Sequence, residues 1–478
     1  MHSPKLTSNG GLAPLLLPLL RLLPLAAAST LESCLESYSV PFNEQNTTAW
    51  DNDAAPFNTR LPYVPAAIAV PLTTAHIEDA IRCAVEFGVK VNPKSGGHSY
   101  ASLGLGVLDT RVYVADEFSI LASSVGIGGH VLHGGFGMSS FTHGLALDAI
   151  TALTVTLANS TTVRATASDH PDLFWALRGA GSSMGVVSEF EFATFEPPEE
   201  LTHFEVQLGW NDTESVVEGW LELQKWGEEE MPREMNMRFG VDGRGVRLDG
   251  LYHGGLEDAE EVVLPLVERL GGGLFTGNVT YDWLGQLKGY AAGEPINSTR
   301  PYRAHEKFYA KSLTTRALPR AAIESFTDYF FNNASTFLSD IGGGDFPGRV
   351  WWLLIDIQGG ANSRISEIPA ESSAYAHRDK LLLFQFYDRV FFGDYPEDEA
   401  EGYALLDGFV ESVTSKLDED DWGMYVNYAD PRTEGVAEEV YYRQNVGRLR
   451  EVKAAVDPTD VFYNPLGIKP AEVSKDDS

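Results

Sequence analysis

Val91-Asn92-Pro93-Lys94-Ser95-Gly96-Gly97-His98-Ser99-Tyr100 is the stretch on which the reading of this chain turns. Ser95, Gly96, Gly97 and Ser99 are small, so the backbone can approach a phosphate-bearing ligand with no Cβ in the way. The same loop presents one nucleophilic imidazole, His98. A covalent flavin linkage needs that combination, whereas the bland alternative is a surface turn with a solvated histidine. The flanking residues favour the flavin.

Upstream, Pro65 to Pro71 is an apolar, strand-like run bounded by prolines. A helix is predicted over Ala75–Phe87. Thr73 and Thr74 offer a cap, Ile77, Ala80, Ile81, Ala84 and Val85 recur at helical spacing, and Gly88 stops it. Downstream come two more glycine-rich loops, Gly126-Ile127-Gly128-Gly129-His130-Val131-Leu132-His133-Gly134-Gly135-Phe136-Gly137 and Leu177-Arg178-Gly179-Ala180-Gly181-Ser182-Ser183-Met184-Gly185-Val186-Val187. The first of these is no dinucleotide fingerprint: Val131 stands at the third glycine position, so a nicotinamide cofactor gains no support. His130 and His133 lie at i, i+3, but the glycines around them argue against a helical pair of metal ligands, and no metal is expected.

Strand, helix, strand and glycine loop, followed by two further glycine loops, resemble the flavin domain of the vanillyl-alcohol-oxidase superfamily. Tyr425-Val426-Asn427-Tyr428-Ala429-Asp430-Pro431 and Asp457-Pro458-Thr459-Asp460-Val461-Phe462 look like the closing segment of berberine-bridge-enzyme-like oxidases. Within that group the chain is most similar to fungal gluco-oligosaccharide and chito-oligosaccharide oxidases, from about Cys34 to Pro470. The resemblance implies an α+β, two-domain flavin-binding oxidase fold with a split FAD domain and an antiparallel-sheet substrate domain. It divides the chain into a signal peptide (1–28), an FAD-binding domain (29–198), a substrate domain (199–419), a segment returning to the FAD domain (420–470) and a tail (471–478).

FAD is the implied cofactor, with His98 bonded to the flavin 8α-methyl group. An alkylated flavin is a stronger oxidant. Ser95, Gly96, Gly97 and Ser99 would hold it from the first loop, Gly126, Gly128, Gly129 and His130 from the second, Gly185 and Val187 from the third. Gluco-oligosaccharide oxidases usually attach the flavin a second time, through a cysteine just before the second glycine loop. Here Leu121-Ala122-Ser123-Ser124-Val125 holds no cysteine. The interval from Gly106 to Ser124 is also shorter than the family pattern by tens of residues, which leaves either a lost exon or a degenerate protein.

An alcohol oxidase needs a base for the hydroxyl proton while hydride leaves. A tyrosine serves if its neighbours lower its pKa from about 10. The family places one in the Tyr-x-Asn-Tyr segment, so Tyr428 or Tyr425 is the candidate; on a strand the two would face opposite ways, and Tyr428 is favoured. Asp356 interrupts the apolar run Trp352 to Ile357, where a carboxylate requires a partner, and by resemblance it would orient and polarise the tyrosine. Alternation puts Gln358 on the face of Asp356, and Gln385 sits in a second apolar run. Those amides could read sugar hydroxyls, with Tyr100, Trp351 or Trp352 as a stacking surface; each could equally be a core aromatic or a satisfied amide.

The 68 acidic residues against 35 basic ones give a formal charge of −33, which makes nucleic acid and anionic membranes poor partners and leaves neutral sugars unaffected. Lys5, the leucine run Leu15 to Leu20, Arg21 and Ala26-Ala27-Ala28 read as a secretory signal with a small-residue cleavage site, too short and too proline-broken to span a membrane. Six Asn-x-Ser/Thr sequons, at Asn46, Asn159, Asn211, Asn278, Asn297 and Asn333, agree with export. In that context the only two cysteines, Cys34 and Cys83, are expected to bridge.

The function implied is a secreted oxidase that takes hydride from the reducing-end carbon of an oligosaccharide and returns electrons to oxygen, giving a lactone and hydrogen peroxide. The rivals are a berberine-bridge-like oxidoreductase of a secondary metabolite, with a less polar pocket, and a non-catalytic secreted homologue.

Overall fold

The computed structural model describes residues 30–61, 63–103, 108–109, 126–242, 245–290, 305–334, 349–390, 395, 399–433 and 435–472. The segment 1–28 expected to be a signal peptide, Asn297, and the interval 106–124 apart from Leu108–Asp109 lie outside them. Strands fall into three sheets. The first has four short strands, Phe42–Asn43 (β1), Ile68–Ala69 (β2), Pro93–Lys94 (β3) and Leu108–Asp109 (β4), ordered β1-β2-β4-β3 with β2, β4 and β3 parallel. The helix between β2 and β3 spans Thr74–Glu86, one residue from its sequence-based bounds. Thr73 caps it by accepting the His76 N–H, and Ile77, Ala80, Ile81 and Ala84 form its buried stripe.

Cys83 on that helix is bonded to Cys34 on the helix Leu31–Ser37. Titration of the unfolded, unreduced protein should therefore find no free thiol, and Cys34→Ser should cost about 2–5 kcal/mol of stability in a denaturant melt.

Ile150–Thr156 (β5), Thr162–Ala165 (β6) and Val186–Phe192 (β7) form an antiparallel sheet ordered β6-β5-β7. Sheet membership changes after Phe192. Leu201–Leu208 (β8), Met235–Asp242 (β9), Gly245–Tyr252 (β10), Gly273–Thr280 (β11), Lys307–Thr315 (β12), Arg349–Ile357 (β13), Leu382–Val390 (β14) and Trp422–Gly423 (β15) build an eight-stranded sheet ordered β11-β8-β10-β9-β13-β14-β12-β15. Every pairing in it is antiparallel.

Side chains alternate across these strands, so directly paired residues share a face. Ile355, Phe239 and Phe384 are register partners on the apolar face, where Trp220 of the helix Thr213–Glu229 packs against both phenylalanines. The helices Arg320–Asn332 and Glu399–Thr414 complete that cover through Phe326 and Phe409. The opposite face carries Asp249, Arg238 and Asp356 in one row across β10, β9 and β13.

The C-terminal segment packs back on the first part of the chain. Lys453, wholly buried, donates to Ser183 O (2.8 Å), Phe462 O (3.2 Å) and Asp457 Oδ2 (2.6 Å). Asp457 in turn accepts the N–H groups of Val461 and Phe462 at 2.7 and 2.8 Å, and Val461 O accepts Val91 N–H at 2.8 Å. No described helix is long and apolar enough to cross a membrane.

Candidate active site

The loop 95–99 enters from β3 and turns where Gly97 takes φ +79°; a Cβ there would lie 2.7 Å from Lys94 Cε. The second glycine loop meets it backbone to backbone, for a Cβ on Gly126 would stand 2.2 Å from Gly96 N. Gly128 N–H donates to Ser95 Oγ at 3.3 Å. Together with Gly185 and Val187 these loops wall a cavity whose far side is Tyr425, Asn427 and Tyr428. Ser99, Tyr100, Gly129 and His130 also face it.

The second loop carries a short helix, Ile127–Leu132, in spite of Gly128 and Gly129. Its burial of Ile127, Val131 and Leu132 outweighs the glycine propensity penalty, about 1 kcal/mol each. His133 Nδ1 donates to Gly129 O (2.8 Å) and its Nε2 meets Ser182 Oγ (2.8 Å), so both nitrogens are engaged. His130 Nε2 is buried without a hydrogen-bond partner among the described residues. Burial, with His133 nearby, lowers the His130 pKa to about 4.

His98 lies face to face with Phe57, ring centroids 4.3 Å apart. Burial, then the charges of His305 and Lys94, bring its pKa down to about 4, so the imidazole is neutral and its lone pair available near pH 7.

Tyr425 and Tyr428 do not lie on a strand. Val426–Tyr428 is a single 3-10 turn, which brings both rings onto the cavity wall with centroids 5.1 Å apart. Tyr425 Oη accepts from Gly135 N (3.0 Å), Phe136 N (3.1 Å) and Asn427 Nδ2 (2.8 Å). Tyr428 stacks on Tyr100 at 5.8 Å, and Tyr100 Oη accepts from Gln385 Nε2 at 2.7 Å. Against the sequence-based expectation that neighbours lower it, burial holds the Tyr428 hydroxyl well above its usual pKa, the charge of Asp356 adds to this, and Arg238 opposes it.

Asp356 is buried opposite Arg238 in the β13–β9 register. Burial raises its carboxyl to about pKa 7, against the pull of Arg238. Among the described residues its Oδ1 has no hydrogen-bond partner. Trp352 stacks on Tyr387 at 4.4 Å on this polar face. Trp351 does not: one residue along the strand it points to the apolar side, buried against Phe409 and Phe330, and is a core aromatic. Gln358 is also displaced from the expected row, because β13 ends at Ile357. Its N–H donates to Leu381 O, and its Oε1 accepts from the Tyr375 hydroxyl at 3.3 Å, off the cavity wall. Arg238, Phe57 and Asn427 were missed. Asn427 stood in the quoted Tyr-x-Asn-Tyr segment without a role assigned to it, and Arg238 carried a signal as a charge alternating with Met237 and Phe239.

The cavity fits FAD on observations of its own walls: glycine loops that meet so closely that a Cβ on Gly97 or Gly126 would clash, a neutral imidazole at the loop tip, and a His130 nitrogen buried without a hydrogen-bond partner among the described residues. This is the site of a flavin-binding protein. Residues 424–469 match the family described as berberine and berberine like. A xylooligosaccharide oxidase of Thermothelomyces thermophilus is 43% identical over 94% of this chain and 96% of its own. The structure of xylooligosaccharide oxidase from Myceliophthora thermophila in complex with xylobiose superposes with a TM-score of 0.86 at 41% identity, covering 93% of this chain and 100% of that one. The glucooligosaccharide oxidase of Acremonium strictum, described with a 6-S-cysteinyl, 8α-N1-histidyl FAD, superposes at 0.86 with 37% identity over 93% of this chain and all of that one. The chain belongs to the family of berberine-bridge-enzyme-like FAD-linked oxidases that includes these fungal oligosaccharide oxidases.

Proposed function

We propose that this protein is a secreted oxidase of reducing-end oligosaccharides, yielding lactone and hydrogen peroxide, with the flavin attached at His98. The observation that carries the reading is the position of Tyr428. It lines the glycine-walled cavity and, through Tyr100 and its partner Gln385, reaches the polar face of the eight-stranded sheet. Bound in the cavity, FAD supplies the hydride acceptor and hands the electrons to oxygen.

The chain's own groups do the rest. Tyr428 takes the anomeric hydroxyl proton; Asp356, charged above about pH 7, is the acceptor to which the phenol can pass its own, and the buried Arg238 guanidinium steadies the negative charge. Gln385 holds the Tyr100 hydroxyl, and Tyr100 lines the cavity between Tyr428 and Phe57, whereas the Trp352 ring is stacked on Tyr387 with the Arg389 guanidinium 5.3 Å from its centre and lies off the cavity wall. Ser95, Gly96, Gly97, Ser99, Gly126, Gly128, Gly129, His130, Gly185 and Val187 hold the cofactor. A row of charged and amide groups suits a hydroxyl-rich substrate better than an apolar metabolite.

Export is supported by the disulfide and by five described sequon asparagines, Asn46, Asn159, Asn211, Asn278 and Asn333, all exposed. The experiment is a peroxide assay on the purified yellow protein with xylo-, cello- and chito-oligosaccharides against aromatic alcohols. Turnover of the alcohols alone would overturn the sugar reading, and a colourless protein would overturn the enzyme.

A further inference from the structure

The segment Pro56–Arg60 is a strap between the first glycine loop and the eight-stranded sheet. On the sheet side it runs beside the start of β12: Thr59 N–H donates to Glu306 O, Glu306 N–H donates to Phe57 O, both at 2.9 Å, and Arg60 Nε donates to Phe308 O at 2.9 Å. Asn58, almost wholly buried, uses one amide group for both sides, donating to Tyr100 O (2.8 Å) and Phe308 O (3.2 Å). Arg60 anchors the end, its guanidinium lying 5.3 Å from the ring centres of both Tyr395 and Tyr403. At the start, His305 Nδ1 donates to Pro56 O at 2.7 Å. Between these fixed points stands Phe57, 5.4 Å from Phe308 on one side and 4.3 Å, nearly parallel, from the imidazole of His98 on the other.

We propose that Phe57 is a positioning residue for covalent flavin attachment: carried on an immobilised strap, its ring fixes the plane of the His98 imidazole. This rests on His98 being the attachment point. Attachment joins an imidazole nitrogen to the 8α carbon. One C–H and one N–H bond break, and two protons and two electrons pass by way of the flavin to oxygen, the oxidant of this family, leaving as hydrogen peroxide. The step is slow unless the nitrogen lone pair is aimed, and a stacked ring opposes rotation of the imidazole about χ2. Stacking removes that rotation without adding a competing hydrogen bond or charge. The same desolvated contact helps keep the ring neutral.

The test compares total flavin, by absorbance, with covalent flavin, by fluorescence of acid-precipitated and washed protein, in Phe57→Leu, Phe57→Tyr and His98→Ala. Leucine keeps apolar bulk and loses the flat face; its covalent fraction should fall roughly tenfold, the scale on which misplacing a reacting group by an ångström tells, while total flavin is retained. Tyrosine should restore the covalent fraction. A wild-type covalent fraction in Phe57→Leu, equal losses in the leucine and tyrosine variants, or loss of total flavin in Phe57→Leu would each overturn the proposal. Phe57→Met carries the same comparison if the leucine variant does not fold. Covalent flavin persisting in His98→Ala would instead overturn the attachment point itself.

Discussion

Tyr428→Phe is expected to lower kcat by about 10²–10⁴-fold, the usual contribution of a positioned proton acceptor, with covalent flavin content unchanged. The variant keeps the ring that stacks on Tyr100 and removes only the hydroxyl. Anaerobic flavin reduction by oligosaccharide, followed by stopped flow, should slow by the same factor. Tyr425→Phe should behave differently: it deletes an oxygen that accepts three hydrogen bonds from the second glycine loop and Asn427, so the cavity wall loosens and thermal stability drops. If Tyr425→Phe abolished flavin reduction and Tyr428→Phe did not, the two roles would be reversed.

The acid limb of the pH profile follows from Asp356. Its protonated form prevails below about pH 7 and cannot accept a proton, so kcat/KM should fall as the pH drops through that value. Asp356→Asn should lower the plateau and flatten this limb; a limb that survives in the variant belongs to another group.

His98→Ala is the second large effect. The protein should precipitate colourless in acid, with all flavin in the supernatant, whereas the wild-type precipitate stays yellow. The segment 121–125 contains no cysteine to form a second bond, so the loss should be complete rather than partial. Non-covalent flavin in the variant should be a weaker oxidant, giving slower substrate-driven reduction at saturating sugar. Flavin fluorescence in the washed variant precipitate would show that another residue carries the link.

The glycine loops, the helix Thr74–Glu86 and the disulfide partners were readable because each depends on local chemistry: small residues at a tight approach, a 3.6-residue stripe, an even cysteine pair. Tyr425 and Tyr428 were found by motif, but their shared wall was not, since a strand and a 3-10 turn are equally open to Tyr-Val-Asn-Tyr until tertiary packing chooses. Trp351 and Trp352 show the limit of strand alternation. One faces helices and the other the polar row, and nothing local says which. Arg238 and Phe57 reach the site from 118 and 41 residues away from Asp356 and His98, pairings that only the register of β9 with β13 and the course of the strap create.

Lys453, locked between Ser183 and the Asp457–Phe462 turn, has a consequence for biogenesis. The core around Cys83 and Val186 is finished by Val461 and Phe462, more than 270 residues further along the sequence than Val186. Until residues 425–462 have been made, a chain that already holds all three glycine loops lacks the cavity wall of Tyr425, Asn427 and Tyr428, so flavin loading is expected to follow synthesis of this segment and to fail in products truncated before it.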